Sequence, residues 1–164
     1  MKRRGPLAAF VALGAVWGGW AALVPAVQTA VGASKGELGI ALLFVGLGSL
    51  PAMLVAGRLL DRYGPRLLPP TLVLLAGAAV LPAFAGSVAT LAAALFALGF
   101  ASGAVDVAMN GVVAEIEARR RTRLMQLAHA LFSAGVLGGA LAVGLARELG
   151  AGRLACLGGA AGVV

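Results

Sequence analysis

The chain has 164 residues, 61% of them hydrophobic and 12% charged, and a mean hydropathy of +1.01. Soluble domains average about 45–50% apolar and about 25% charged residues, so this composition excludes a soluble monomer and, by the same arithmetic, intrinsic disorder. A net charge of +7 would raise the question of nucleic acid in a soluble protein, but one Tyr and two Trp supply no basic surface interleaved with stacking aromatics.

A bilayer core about 30 Å thick takes roughly 20 apolar residues at 1.5 Å rise each. Residues 7–31 form the first such run and carry no charge. The preceding Met1-Lys2-Arg3-Arg4 also fits a secretory signal peptide. However, the run is longer than a signal core and similar segments follow it, so it is read as a retained first membrane helix. Residues 38–57 form the second span. Residues 67–105 are one uncharged stretch of 39 residues, too long for one crossing, which divides at Gly86-Ser87 into antiparallel helices over 67–85 and 88–113. Residues 124–146 make a fifth span, and after Arg153 the apolar segment 154–164 is about half of a crossing. The expected fold is all-α: a polytopic transmembrane bundle of five helices and part of a sixth, read as the N-terminal piece of something longer.

Short cytoplasmic loops carry an excess of Lys and Arg. Lys2, Arg3 and Arg4 precede helix 1; Arg58, Arg62 and Arg66 join helices 2 and 3; Arg119, Arg120, Arg121 and Arg123 join helices 4 and 5. The opposite face holds Lys35, Arg147 and Arg153. The N-terminus is therefore expected in the cytoplasm and the protein in the plasma membrane, which is the inner membrane if the source is bacterial. The basic charge is then topological, and no nucleic-acid partner is expected. Small residues four apart, Gly14/Gly18, Gly99/Gly103 and Gly135/Gly139, are expected to let helices approach closely in lipid.

Between helices 2 and 3 lies Gly57-Arg58-Leu59-Leu60-Asp61-Arg62-Tyr63-Gly64-Pro65-Arg66. Its glycines permit a tight turn, and Asp61 can cap a helix or pair with a guanidinium. The spacing resembles the signature loop of the major facilitator superfamily, G-x-x-x-D-R-x-G-R-R. Gly57, Asp61, Arg62, Gly64 and Arg66 fall in place, while Pro65 stands where a basic residue is usual and Leu60 where a small one is common. The resemblance implies that this is a cytoplasmic gate loop, in which Asp61 helps latch an N-terminal six-helix bundle against a C-terminal one during alternating access. That C-terminal half would be the partner missing from this chain.

Asp106 is the one acid well inside an apolar run, with Ser102 and Asn110 four residues to either side. At 100° per residue the three share one helix face. An intramembrane charge costs at least about 2.5–3.5 kcal/mol on insertion scales and normally faces a bundle interior or a watery cavity; the plainer alternative is a hydrogen bond that only pins helices. Gln126, His129 and Ser133 form a similar stripe on helix 5. With one His, one internal Asp and the single cysteine Cys156, neither an intrachain disulfide nor a stable metal site is expected, and no cofactor is implied.

Asp106-x-x-x-Asn110 followed by His129-x-x-x-Ser133 and Gly135, Gly138 and Gly139 looks like the fucose-permease branch of the same superfamily. The resemblance implies that Asp106 and Asn110 line a central cavity, with His129 beside them. Helix 1 carries Trp17, Trp20 and Gln28 but no acid, which is unlike a fucose permease and speaks against proton symport of that type. Helix 5 also lacks the Gly-Pro pair of the superfamily's drug antiporters. The function implied is secondary transport of a small polar solute such as a sugar, with or without a coupling ion, across the lipid bilayer. Two other readings stand beside it: a non-transporting membrane protein or assembly module, and an intramembrane hydrolase built on Ser102, His129 and Asp106. The hydrolase is opposed by Phe100-Ala101-Ser102-Gly103, which lacks the first glycine of a G-x-S-G motif.

Overall fold

The computed structural model describes residues 4–164. Met1, Lys2 and Arg3, and with them two of the three basic residues expected before helix 1, lie outside the described residues. The described residues fold into α1 (Arg4–Val31), α2 (Lys35–Tyr63), α3 (Leu68–Ala79), α4 (Val88–Arg120), α5 (Met125–Glu148) and α6 (Arg153–Ala161), with 3-10 turns at Gly64–Leu67 and Leu81–Phe84 and no strand.

Local chemistry explains where the helices begin and end. Ser34 and Glu37 form a reciprocal capping box at the start of α2, where the Glu37 N–H donates to Ser34 Oγ at 3.2 Å and the Ser34 N–H donates to Glu37 Oε2 at 2.9 Å. Ser87 and Thr90 do the same for α4, which places the turn between α3 and α4 at the expected Gly86-Ser87. The apolar segment Lys35–Phe84 is 50 residues long, twice what one crossing needs. Gly64 folds it back on itself: its φ of +56° and ψ of −141° suit glycine, and Pro65 starts the 3-10 turn that follows.

The helix over 67–85 is shorter than expected. Regular α-helix covers only the 12 residues of α3, because Pro82 has no N–H to continue the ladder and the chain tightens into 3-10 geometry at Leu81–Phe84. In contrast, α4 runs past its apolar stretch to Arg120, since nothing breaks it before Arg121 turns left-handed at φ +49°.

Two helix pairs dominate the packing, α1 with α5 and α2 with α4. The glycines expected at close crossings make both. A Cβ at Gly14 or Gly18 would meet the carbonyl oxygens of Phe132 and Val136, and one at Gly135 or Gly139 those of Val11 and Ala15. In the second pair, Gly99 and Gly103 press on Val45 and Ser49, and Gly48 on Phe96. The two crossings match: α1 relates to α5 as α4 relates to α2, each pair locked by glycines four residues apart. Burial follows the same plan, with 56% and 61% of the apolar windows of α1 and α4 buried against 22% for α5. The fold is thus a helical transmembrane bundle with α1 and α4 at its centre.

Candidate functional site

The groove that holds the polar residues lies in the seam between these two pairs. Leu13 and Trp17 of α1 face Ser102 and Asp106 of α4 across it, and Ser49 and Met53 of α2 and Phe132 of α5 close its sides; its volume is about 280 Å³. Trp17 and Ser102 occupy corresponding positions, three residues beyond the crossing glycines Gly14 and Gly99, so the groove sits where the two pairs meet. Gly103 brings Ser49 into it: a Cβ there would lie 2.7 Å from the Ser49 carbonyl oxygen, so only glycine lets α2 approach this closely.

Ser102 is 7% exposed, and its Oγ is buried with no hydrogen-bond partner. A buried hydroxyl left unpaired is uncommon and asks for an explanation, such as a water or a ligand. Asp106, one turn further on, is part-buried and accepts from Asn110 Nδ2 at 3.0 Å through Oδ1. The same amide donates to the Asp106 carbonyl at 2.9 Å, so Asn110 orients the carboxylate. The groove thus presents a carboxylate, two hydroxyls and an indole face, and no basic side chain lines it. Such a set suits a solute that donates hydrogen bonds.

The α5 stripe is placed differently. His129 Nδ1 lies 3.0 Å from the Met125 carbonyl oxygen, its ring packs on Phe10 with centroids 5.4 Å apart, and Ser133 Oγ donates to the His129 carbonyl at 3.1 Å. These groups and Gln126 are exposed on α5, and none of them lines the groove. Ser102, Asp106 and His129 are not hydrogen-bonded to one another, so the residue types of a hydrolase are present without its relay.

In the last turn of α2 and the 3-10 turn that follows it, Asp61, Arg62 and Arg66 are exposed, and no ion pair to Asp61 occurs among the described residues. The Arg62 guanidinium stacks over the Tyr63 ring at 5.3 Å. Gly57 lies in the final turns of α2 with open space around it, while Leu60 packs into the gap left by Gly111 of α4. Sequence reasoning missed Ser49 and Met53 in the groove. It also missed Glu117, whose Oε1 accepts from the N–H groups of Leu124 and of Met125 (2.9 Å for the latter) and so caps α5 from the end of α4.

Comparison with known proteins follows the same outline. The family model described as Major Facilitator Superfamily matches residues 7–162. An uncharacterised transporter of Sinorhizobium fredii is 36% identical over 142 residues, covering 84% of this chain and 37% of the relative. An uncharacterised MFS-type transporter of Yersinia pestis is 36% identical over 137 residues, covering 80% and 35%. The membrane protein MosC of Rhizobium meliloti is 32% identical over 133 residues, covering 80% and 33%. The chain spans about a third of the length of the curated relatives it matches. No solved structure matches it.

Proposed function

The chain belongs to the Major Facilitator Superfamily, and from that premise we propose that it forms an N-terminal part of a secondary transporter that moves a small polar solute by alternating access. The groove between α1 and α4 is this part's share of the solute pathway, and a C-terminal half supplies the opposite wall. The observation that carries the reading is the pairing of the unpartnered Ser102 hydroxyl with the Asp106 carboxylate in an otherwise apolar bundle. An ionisable group held at that depth is a functional site by default.

Hydroxyl and carboxylate acceptors beside an indole face favour a polyhydroxylated solute such as a sugar. Asp106 is also the groove's one group able to take up a coupling proton or cation. The gate loop Gly57, Asp61, Arg62, Gly64 and Arg66 lies on the cytoplasmic side with the N-terminus. Its exposed Asp61 is free to meet the C-terminal half.

Cysteine labelling tests the pathway while leaving Asp106 in place. In the complete protein with Cys156→Ser, Ser49→Cys is expected to react with a membrane-impermeant methanethiosulfonate and to be protected by the transported monosaccharide in a panel of sugars. Inertness of that cysteine from both sides of the membrane would overturn the pathway assignment.

A further inference from the structure

An apolar depression lies away from the solute groove, between α3 and α4. Val73, Leu74 and Gly77 face Phe96, Ala97 and Phe100 across about 570 Å³. A second cavity of about 170 Å³ shares Leu74 and Phe100 with the first and continues to Leu59 and Leu67, beside the loop between α2 and α3. The two form one groove. It follows α3, whose 12 residues span about 18 Å, close to the depth of one leaflet's hydrocarbon.

The end of this groove is basic. Arg58 and Arg66 are the immediate neighbours of the lining residues Leu59 and Leu67, and both are exposed. Arg62 and Tyr63 lie between them in sequence, with Tyr63 49% exposed, and tyrosines are enriched where a bilayer meets its headgroups. Residues 58–66 hold three arginines against one aspartate. A leaflet-deep apolar groove whose lining residues Leu59 and Leu67 are each next in sequence to an exposed arginine matches one class of molecule in a membrane, a lipid with a negative headgroup.

We propose that this groove is a binding site for an anionic phospholipid, with one acyl chain between α3 and α4 and the phosphate on Arg58 and Arg66. The site is separate from the solute groove and does not depend on what the protein carries. Each arginine contributes about fivefold to affinity for anionic lipid. Residues 119–123, at the end of α4 and in the turn that follows it, hold four arginines but adjoin none of the lining residues, so they serve as the control.

Native mass spectrometry of the purified protein, offered phosphatidylglycerol and phosphatidylcholine of identical chains, tests the site. Phosphatidylglycerol is expected to be retained at least about tenfold better. Arg58→Gln with Arg66→Gln should abolish that preference, whereas Arg121→Gln with Arg123→Gln should leave it. Gly77→Leu, placed where a Cβ meets only open space, should reduce retention of both lipids while every arginine remains. The groove-filling variant adds its Cβ in open space and leaves every arginine in place, so it also decides the matter if the arginine variants fold poorly. Equal retention of the two lipids, equal loss in the control variant, or no effect of Gly77→Leu would each overturn the proposal.

Discussion

Replacing Gly103 by alanine separates close helix packing from helix propensity. A Cβ at this position would lie 2.7 Å from the Ser49 carbonyl oxygen, 3.0 Å from its Cα and 3.1 Å from its Cβ. All three are tighter than ordinary contact, and two belong to backbone, so α2 itself must move. Overpacking of this kind costs about 1–3 kcal/mol. Alanine also gains up to about 1 kcal/mol over glycine inside a helix. Gly138→Ala supplies that gain alone, because its Cβ would meet nothing within 4 Å. The difference between the two variants should therefore be about 1–3 kcal/mol, or several degrees in melting temperature. Thermal unfolding of the detergent-solubilised protein, followed by circular dichroism, measures it. If Gly103→Ala melts as high as Gly138→Ala, the crossing of α2 and α4 is not glycine-dependent and the argument fails.

Glu117→Ala removes the acceptor for two N–H groups at the start of α5 and should destabilise by about 0.5–2 kcal/mol, with faster amide exchange at Leu124 and Met125; Glu117→Gln, which keeps an acceptor oxygen, should recover most of the loss. Unchanged exchange in the alanine variant would show that the cap holds nothing. Gly64→Ala forces a side chain into a backbone conformation suited to glycine, at about 1–3 kcal/mol, and should speed tryptic cleavage at Arg62 and Arg66. For orientation, reporter fusions at Gly86 are expected to read outside and at Arg120 inside, and the reverse pattern would invert the proposed topology.

Hydropathy made the helices legible because a crossing demands a long uncharged run whatever it packs against. The same property hid their ends: α4 extends to Arg120 and α2 to Tyr63 because a helix continues into the headgroup layer until a cap or a left-handed residue stops it. The shortening of α3 at Pro82 was visible in principle, but an apolar run draws attention away from a single missing donor. Ser102 and Asp106 stood out as polar groups in apolar surroundings, and the structure places both on the groove. Ser49 is just as polar, yet its place in the groove depends on Gly103 of another helix, which no pattern within α2 records. The α5 stripe shows the converse. His129 and Ser133 are periodic, but periodicity does not say what a face meets, and here their polar atoms return to the helix's own carbonyls.

The pattern of glycines also accounts for the groove itself. Small residues are concentrated in the crossings of α1 with α5 and of α2 with α4, where backbones touch. At the groove, α1 and α4 instead present Leu13, Trp17, Ser102 and Asp106, side chains that hold the two pairs apart. Close packing within pairs and side-chain spacing between them make the seam the soft element of the bundle. Enlarging Gly18 or Gly103 strains a pair, whereas changing Trp17 alters the seam and leaves the pairs intact. The first class of substitution should therefore lower stability and the second should change labelling of the groove at nearly constant stability. A Trp17→Ala variant that melts as low as Gly18→Leu would place Trp17 in the rigid packing and refute the division.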